Sequence, residues 1–98
     1  MTTHIPKNHK NEIIMTQNVI EGKFLTSLPE VIDHKITQSM GLIVESSMLS
    51  ADKAIKDLVK KAEKMGCNAI VNVRLMGSSG GITAYGEAVQ VEEKPFSY

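Results

Sequence analysis

The chain has no tryptophan, one cysteine, one arginine and only four aromatic residues, Phe24, Tyr85, Phe96 and Tyr98. Without large rings, the core of this 98-residue chain must be built from aliphatic side chains. A domain of this size buries only about 60–65% of its unfolded surface. A small core of this kind often gains stability by association, so a homo-oligomer is expected. A single cysteine cannot close an internal disulfide, which excludes a secreted disulfide framework. Eleven Lys and Arg residues balance eleven Asp and Glu residues. Non-specific nucleic-acid binding draws on an excess of cations to neutralise phosphates, so no nucleic-acid partner is expected. No run approaches the roughly 20 apolar residues that span a bilayer. Residues 1–11 are polar and lack the apolar run of a signal peptide. The expectation is a soluble, cytoplasmic protein with no membrane partner.

What is present divides into periodic segments. Residues 1–11 lack apolar periodicity, and Ile13, Ile14 and Met15 have the composition of a short strand start. Glu21-Gly22 punctuates the chain before an extended piece, Phe24 to Ser27, which ends by Pro29 because proline has no N–H for a ladder. Residues 35–45 alternate with period two. Ile36, Gln38, Met40, Leu42 and Val44 form the more apolar face, with Gly41 as a candidate bulge or bend.

A helix is expected over residues 50–65. Ser50 is its N-cap, Asp52 suits the positive end of the dipole, and Gly66 closes it in the left-handed conformation. Ala51, Ala54, Ile55, Leu58, Val59, Ala62 and Met65 form one apolar stripe. Asp52–Lys56 and Asp57–Lys61 stand at i,i+4 in the favoured order. Two strands follow, residues 68–76 and 82–91, joined by a five-residue glycine-rich connection, residues 77–81. The expected fold is α+β, an antiparallel or mixed sheet of about four strands with one main helix packed on it. Residues 1–22 are read as a partly flexible N-terminal extension, 23–92 as the domain and 93–98 as a short C-terminal tail.

The candidates for chemistry are few. Thiolate is the soft donor among side chains, so Cys67 is the candidate ligand for a soft metal or a selenium species. The competing reading is a small apolar residue just past the helix end, whose partial negative charge disfavours a thiolate. His4 and His9 lie five apart, which is no helical-face spacing, and His34 falls in a turn, so solvated histidines are expected. Neither Cys-x-x-Cys nor His-Glu-x-x-His occurs. Met15, Met40, Met48, Met65 and Met76 offer thioethers, but Met40 and Met65 fall on stripes expected to face the core, where methionine is an adaptable filler. Residues 77–81 lack the Gly-Lys-Ser/Thr ending of a phosphate loop and precede a strand. Glu45, Asn72, Arg74 and Glu87 are polar groups inside strands. They either line a ligand site or ring channel, or form a solvated face with cross-strand pairs.

Three segments carry a resemblance. They are Leu25-Thr-Ser-Leu-Pro-Glu-Val-Ile-Asp-His-Lys-Ile36, then Ile36 to Ser46, and Gly66-Cys-Asn-Ala-Ile-Val-Asn-Val-Arg74 together with Tyr85-Gly-Glu-Ala-Val89. Together they resemble the YbjQ-like family, whose label is heavy-metal binding. The resemblance covers about residues 23–91. It implies a small α+β domain that assembles into a ring, a pentamer, and it implies no particular cofactor. The leading reading is a non-catalytic oligomeric domain that binds a heavy metal or related soft ligand. The alternatives are a structural or interaction module with no small ligand, and an enzyme whose site forms between subunits.

Overall fold

A computed structural model of the chain describes residues 17–95. The strand start expected at Ile13–Met15, and the residues His4, His9 and Met15, lie outside the described residues. Five strands and one helix follow in order: β1 (Gln17–Ile20), β2 (Lys23–Thr26), β3 (His34–Ser47), α1 (Ala51–Lys64), β4 (Ala69–Ser78) and β5 (Gly81–Glu93). The fold is α+β, as expected. The sheet has five strands rather than about four, in the order β1-β2-β4-β5-β3. The added strand is β1. It forms because Glu21 and Gly22 both take positive φ, 51° and 80°, and so make a tight hairpin turn onto β2. β2 and β4 run parallel and every other neighbouring pair is antiparallel.

The helix forms where its signals stand. The Ser50 hydroxyl accepts from the Lys53 N–H at 3.1 Å, and Gly66 follows the last turn with φ of 80°. Its ion pairs differ from the expected ones. Lys53 bonds Asp57 at 2.8 Å, and Lys61 leaves its own helix to reach Glu45 at 3.1 Å. The sheet brings Glu45 within range, which sequence spacing does not report.

The helix buries Ala54, Ile55, Leu58, Val59 and Ala62. They pack on Leu25, Ile43, Ile70, Val73, Ala84 and Ala88 of the sheet, and Cys67 joins this cluster. A second, smaller cluster lies on the other sheet face, where Val31 from the β2–β3 segment covers Ala69, Val71, Val89 and Val91.

Three bulges decide which side chains face which way. One interrupts β4, where Val71 pairs with Glu87 and Arg74 with Tyr85, so one extra residue stands in β4. Asn72, at φ of 55°, is in the left-handed conformation inside this bulge. A slip of one residue exchanges the faces of a strand. The bulge thus turns Val73 into the helix-side core and Arg74 onto the opposite, open face. Gly86 stands across from it. A Cβ there would lie 2.8 Å from Ile70 Cγ2 and 3.0 Å from the Val71 carbonyl oxygen.

The other two bulges lie in β3, between Ile36 and Gln38 and between Ser39 and Gly41. They break the expected period-two reading of residues 35–45. Ile36, Met40, Leu42 and Val44 are exposed, and Ile43 is the buried residue. The helix lies over Ile43, so among the described residues Leu42 and Val44 on the other face of β3 are left exposed. Met40 therefore does not face the core, whereas Met65 packs at its margin. The β4–β5 connection is also shorter than expected. Ser78 pairs with Gly81, leaving Ser79 and Gly80 as the turn, because the ladder continues into the glycine-rich segment.

Candidate functional site

Cys67 lies immediately after the helix end, its N–H bonded to the Ala62 carbonyl at 3.0 Å. It is 3% exposed and belongs to the helix–sheet core. Burial pushes its thiol pKa up from an ordinary value of 9.0. A soft metal needs a thiolate and further donors. Among the described residues no group of three or more His, Cys, Asp or Glu side chains is placed to hold a metal ion. The surroundings of Cys67 in one chain are apolar, with a raised thiol pKa, and do not fit a metal.

His34 is the first residue of β3 rather than part of a turn. Its Nδ1 lies 2.8 Å from the Ile32 carbonyl, and its ring rests 4.7 Å from that of Phe24. It is half-buried and ties the β2–β3 segment to the sheet. A shallow cleft of about 260 Å³ opens beside it, lined by Pro29, Glu30, Lys35, Ile36 and Lys94. A second cleft of about 250 Å³ lies between Glu45 and Asp57 and the lysines Lys60, Lys61 and Lys64. Neither contains Cys67.

The polar strand residues do not converge. Glu45 lies on the helix side, held by Lys61. Glu87 lies on the open face and accepts the Ser39 hydroxyl. Arg74, on the same face, donates to the Ser27 carbonyl at 2.9 Å and so fastens the segment after β2 to β4. Asn72 donates its backbone N–H to the Leu28 carbonyl at 2.9 Å. Of the two readings, these contacts favour a paired sheet surface.

One contact had no sequence signal. Asn68 donates from Nδ2 to the Val91 carbonyl at 3.0 Å and accepts the Val91 N–H at 2.8 Å. Its amide stands in for one rung of a β ladder just before β4. The sequence places Asn68 as the first residue of the expected strand, whereas β4 starts at Ala69, and only the position of β5 gives the Asn68 side chain this role.

The most distinctive surface is apolar. Val19 on β1 (62% exposed) and Leu42 and Val44 on β3 (69% and 42%) project from the open face at the two edges of the sheet. Val19 pairs across to Phe24, which packs in the open-face cluster; Leu42 pairs to Glu87 and Val44 to Tyr85, both on that face.

Among the described residues the arrangement defines a small one-helix, five-stranded α+β domain with β1 and β3 at the two edges of its sheet. The chain belongs to the YbjQ family, described as "Putative heavy-metal-binding", whose profile matches residues 10–92. It is 36% identical over 72 residues to a UPF0145 protein of Methanosarcina acetivorans, a match spanning 68% of this chain and 64% of that protein. This chain therefore spans just under two thirds of that relative's length. It is also similar, at 18% identity and a TM-score of 0.48, to a crystal structure of a protein of unknown function from Pediococcus pentosaceus. That match covers 74% of this chain and all of the other.

Proposed function

We infer that the protein is a non-catalytic, homo-oligomeric interaction module, a pentameric ring as the YbjQ-like resemblance implies, acting in the cytoplasm. The observation that carries this reading is the pair of apolar sheet edges, with Leu42 and Val19 more than half exposed. Apolar side chains of this size beside unpaired strand edges mark a surface that associates. The polar strand residues Glu45, Arg74 and Glu87 support the non-catalytic part, since the side chain of each is bonded within the fold.

A second reading, soft-metal or selenium binding, is favoured by the family's description. It requires Cys67 to leave the core or to meet donors from another copy. Native mass spectrometry with elemental analysis separates the two. A multiple of the chain mass without bound metal supports the module. Stoichiometric zinc or copper that disappears in Cys67→Ser favours the metal reading, and a single chain mass overturns the oligomer.

A further inference from the structure

We propose that the exposed face of α1 is a docking surface for an acidic segment of another protein, whose carboxylates recur at about 6 Å and meet Lys56, Lys60 and Lys64 one to one. This extends the interaction-module reading, on which it rests, to a second kind of partner on a face that the sheet edges do not share.

Four observations carry it. First, Lys56, Lys60 and Lys64 are exposed and stand at i, i+4 and i+8 of the helix. At 1.5 Å of rise per residue they form one row with steps of about 6 Å. Second, this row is not neutralised. Lys53 pairs with Asp57, Lys61 with Glu45 and Lys23 with Glu63, and among the described residues no ion pair uses Lys56, Lys60 or Lys64. Of the helix carboxylates only Asp52, in the first turn, is left outside these pairs. Third, the row works against the helix that carries it. Like charges at i,i+4 destabilise a helix, and the row sets two such pairs in succession, Lys56–Lys60 and Lys60–Lys64. The whole chain has no net charge, so the excess is local to this face. Fourth, the cleft of about 250 Å³ between the helix and β3 opens beside the row, and Lys60 and Lys64 line it with Lys61, Glu45 and Asp57.

The same residues select the kind of anion. Glu45 and Asp57 stand in the cleft and repel a continuous polyanion. Phosphates along one strand of a DNA duplex follow at about 3.4 Å of rise, a poor match to the lysine step. The helix has no aromatic ring for a base to stack on and no guanidinium fork for a phosphate. Its exposed side chains are all charged, so none enters a bilayer. A partner helix with Asp or Glu at every fourth residue repeats the step of about 6 Å, and its intervening positions leave room for neutral or basic groups opposite Asp57.

The test titrates the full ¹⁵N-labelled chain with a blocked alanine peptide of roughly 16 residues, long enough to form a helix, carrying glutamate at every fourth position. Amide shifts are expected around residues 56–64 at about 10 mM ionic strength, where the Debye length is about 30 Å, and should fade by about 150 mM, where it is about 8 Å. Lys60→Glu is expected to weaken binding about ten-fold while raising the melting temperature, because it turns both repulsive pairs into attractive ones. Lys60→Gln should fall between the two, and serves if the charge reversal fails to fold. Equal shifts with the glutamine version of the peptide, shifts confined to other residues, or unchanged binding by Lys60→Gln overturn the surface. Tighter binding of a single-stranded oligonucleotide of equal charge, or of phosphatidylserine vesicles, overturns the protein partner. Light scattering on the same samples reads the assembly separately. An oligomer that ignores the peptide overturns this surface and leaves the oligomer reading standing, whereas a monomer that binds it overturns only the oligomer.

Discussion

At the residue scale, positions that look ordinary in the sequence carry the constraints. Gly86 is one. Its missing Cβ is what lets β5 pass the β4 bulge, with Ile70 Cγ2 and the Val71 carbonyl within 3.0 Å of where a Cβ would stand. Backbone cannot yield as a flexible side chain can. Gly86→Ala should destabilise by about 1–3 kcal/mol, the usual cost of overpacking, and denaturant melts measure it. Cys67 gives a second prediction. Burial raises its pKa from 9.0, so the folded chain keeps the proton at pH values where the unfolded chain releases it. The stability this gives is complete below the unfolded value and lost as pH rises through the folded one. The advantage of wild type over Cys67→Ala should therefore shrink as pH rises past 9.0. Paired urea melts test this, and a constant gap would show that the thiol's titration is not linked to folding.

At the scale of elements, the helix was the most legible part. Its cap, its stripe and its glycine stop are local signals, and α1 spans 51–64 between Ser50 and Gly66. Leu58 is fully buried at the centre of the stripe. Leu58→Ala should cost about 2–5 kcal/mol from lost transfer energy and the cavity left behind, and a loss under half a kilocalorie in melts would show that the stripe is not core. β3 was less legible. Alternation assigned Leu42 and Val44 to a buried face, but helix packing on Ile43 and two bulges left them outside. The bulges depend on β5, which lies more than forty residues away from their partners in sequence, so no window along β3 contains the information. The same holds for Arg74, which strict alternation from Ile70 would send into the core. The Asn72 bulge sends it to the open face instead.

At the scale of the molecule, among the described residues one helix covers one face of a five-stranded sheet, and Val31 and its neighbours cover part of the other face. Residues 1–11 lack apolar periodicity, so deleting them should leave the melting temperature nearly unchanged. Scanning calorimetry reads this directly, and a large drop would make the segment part of the folded core. The sequence by itself determined the α+β class, the helix and its limits, the placing of Cys67 beside the helix end, and the resemblance that leads to the family. These follow from short-range periodicity, capping and local motifs. Tertiary structure alone decided the fifth strand's place at the sheet edge, the exposure of Leu42 and Val44, the outward turn of Arg74 and the Asn68 rung. Each depends on register between strands distant in the chain, and register is fixed by packing across the sheet.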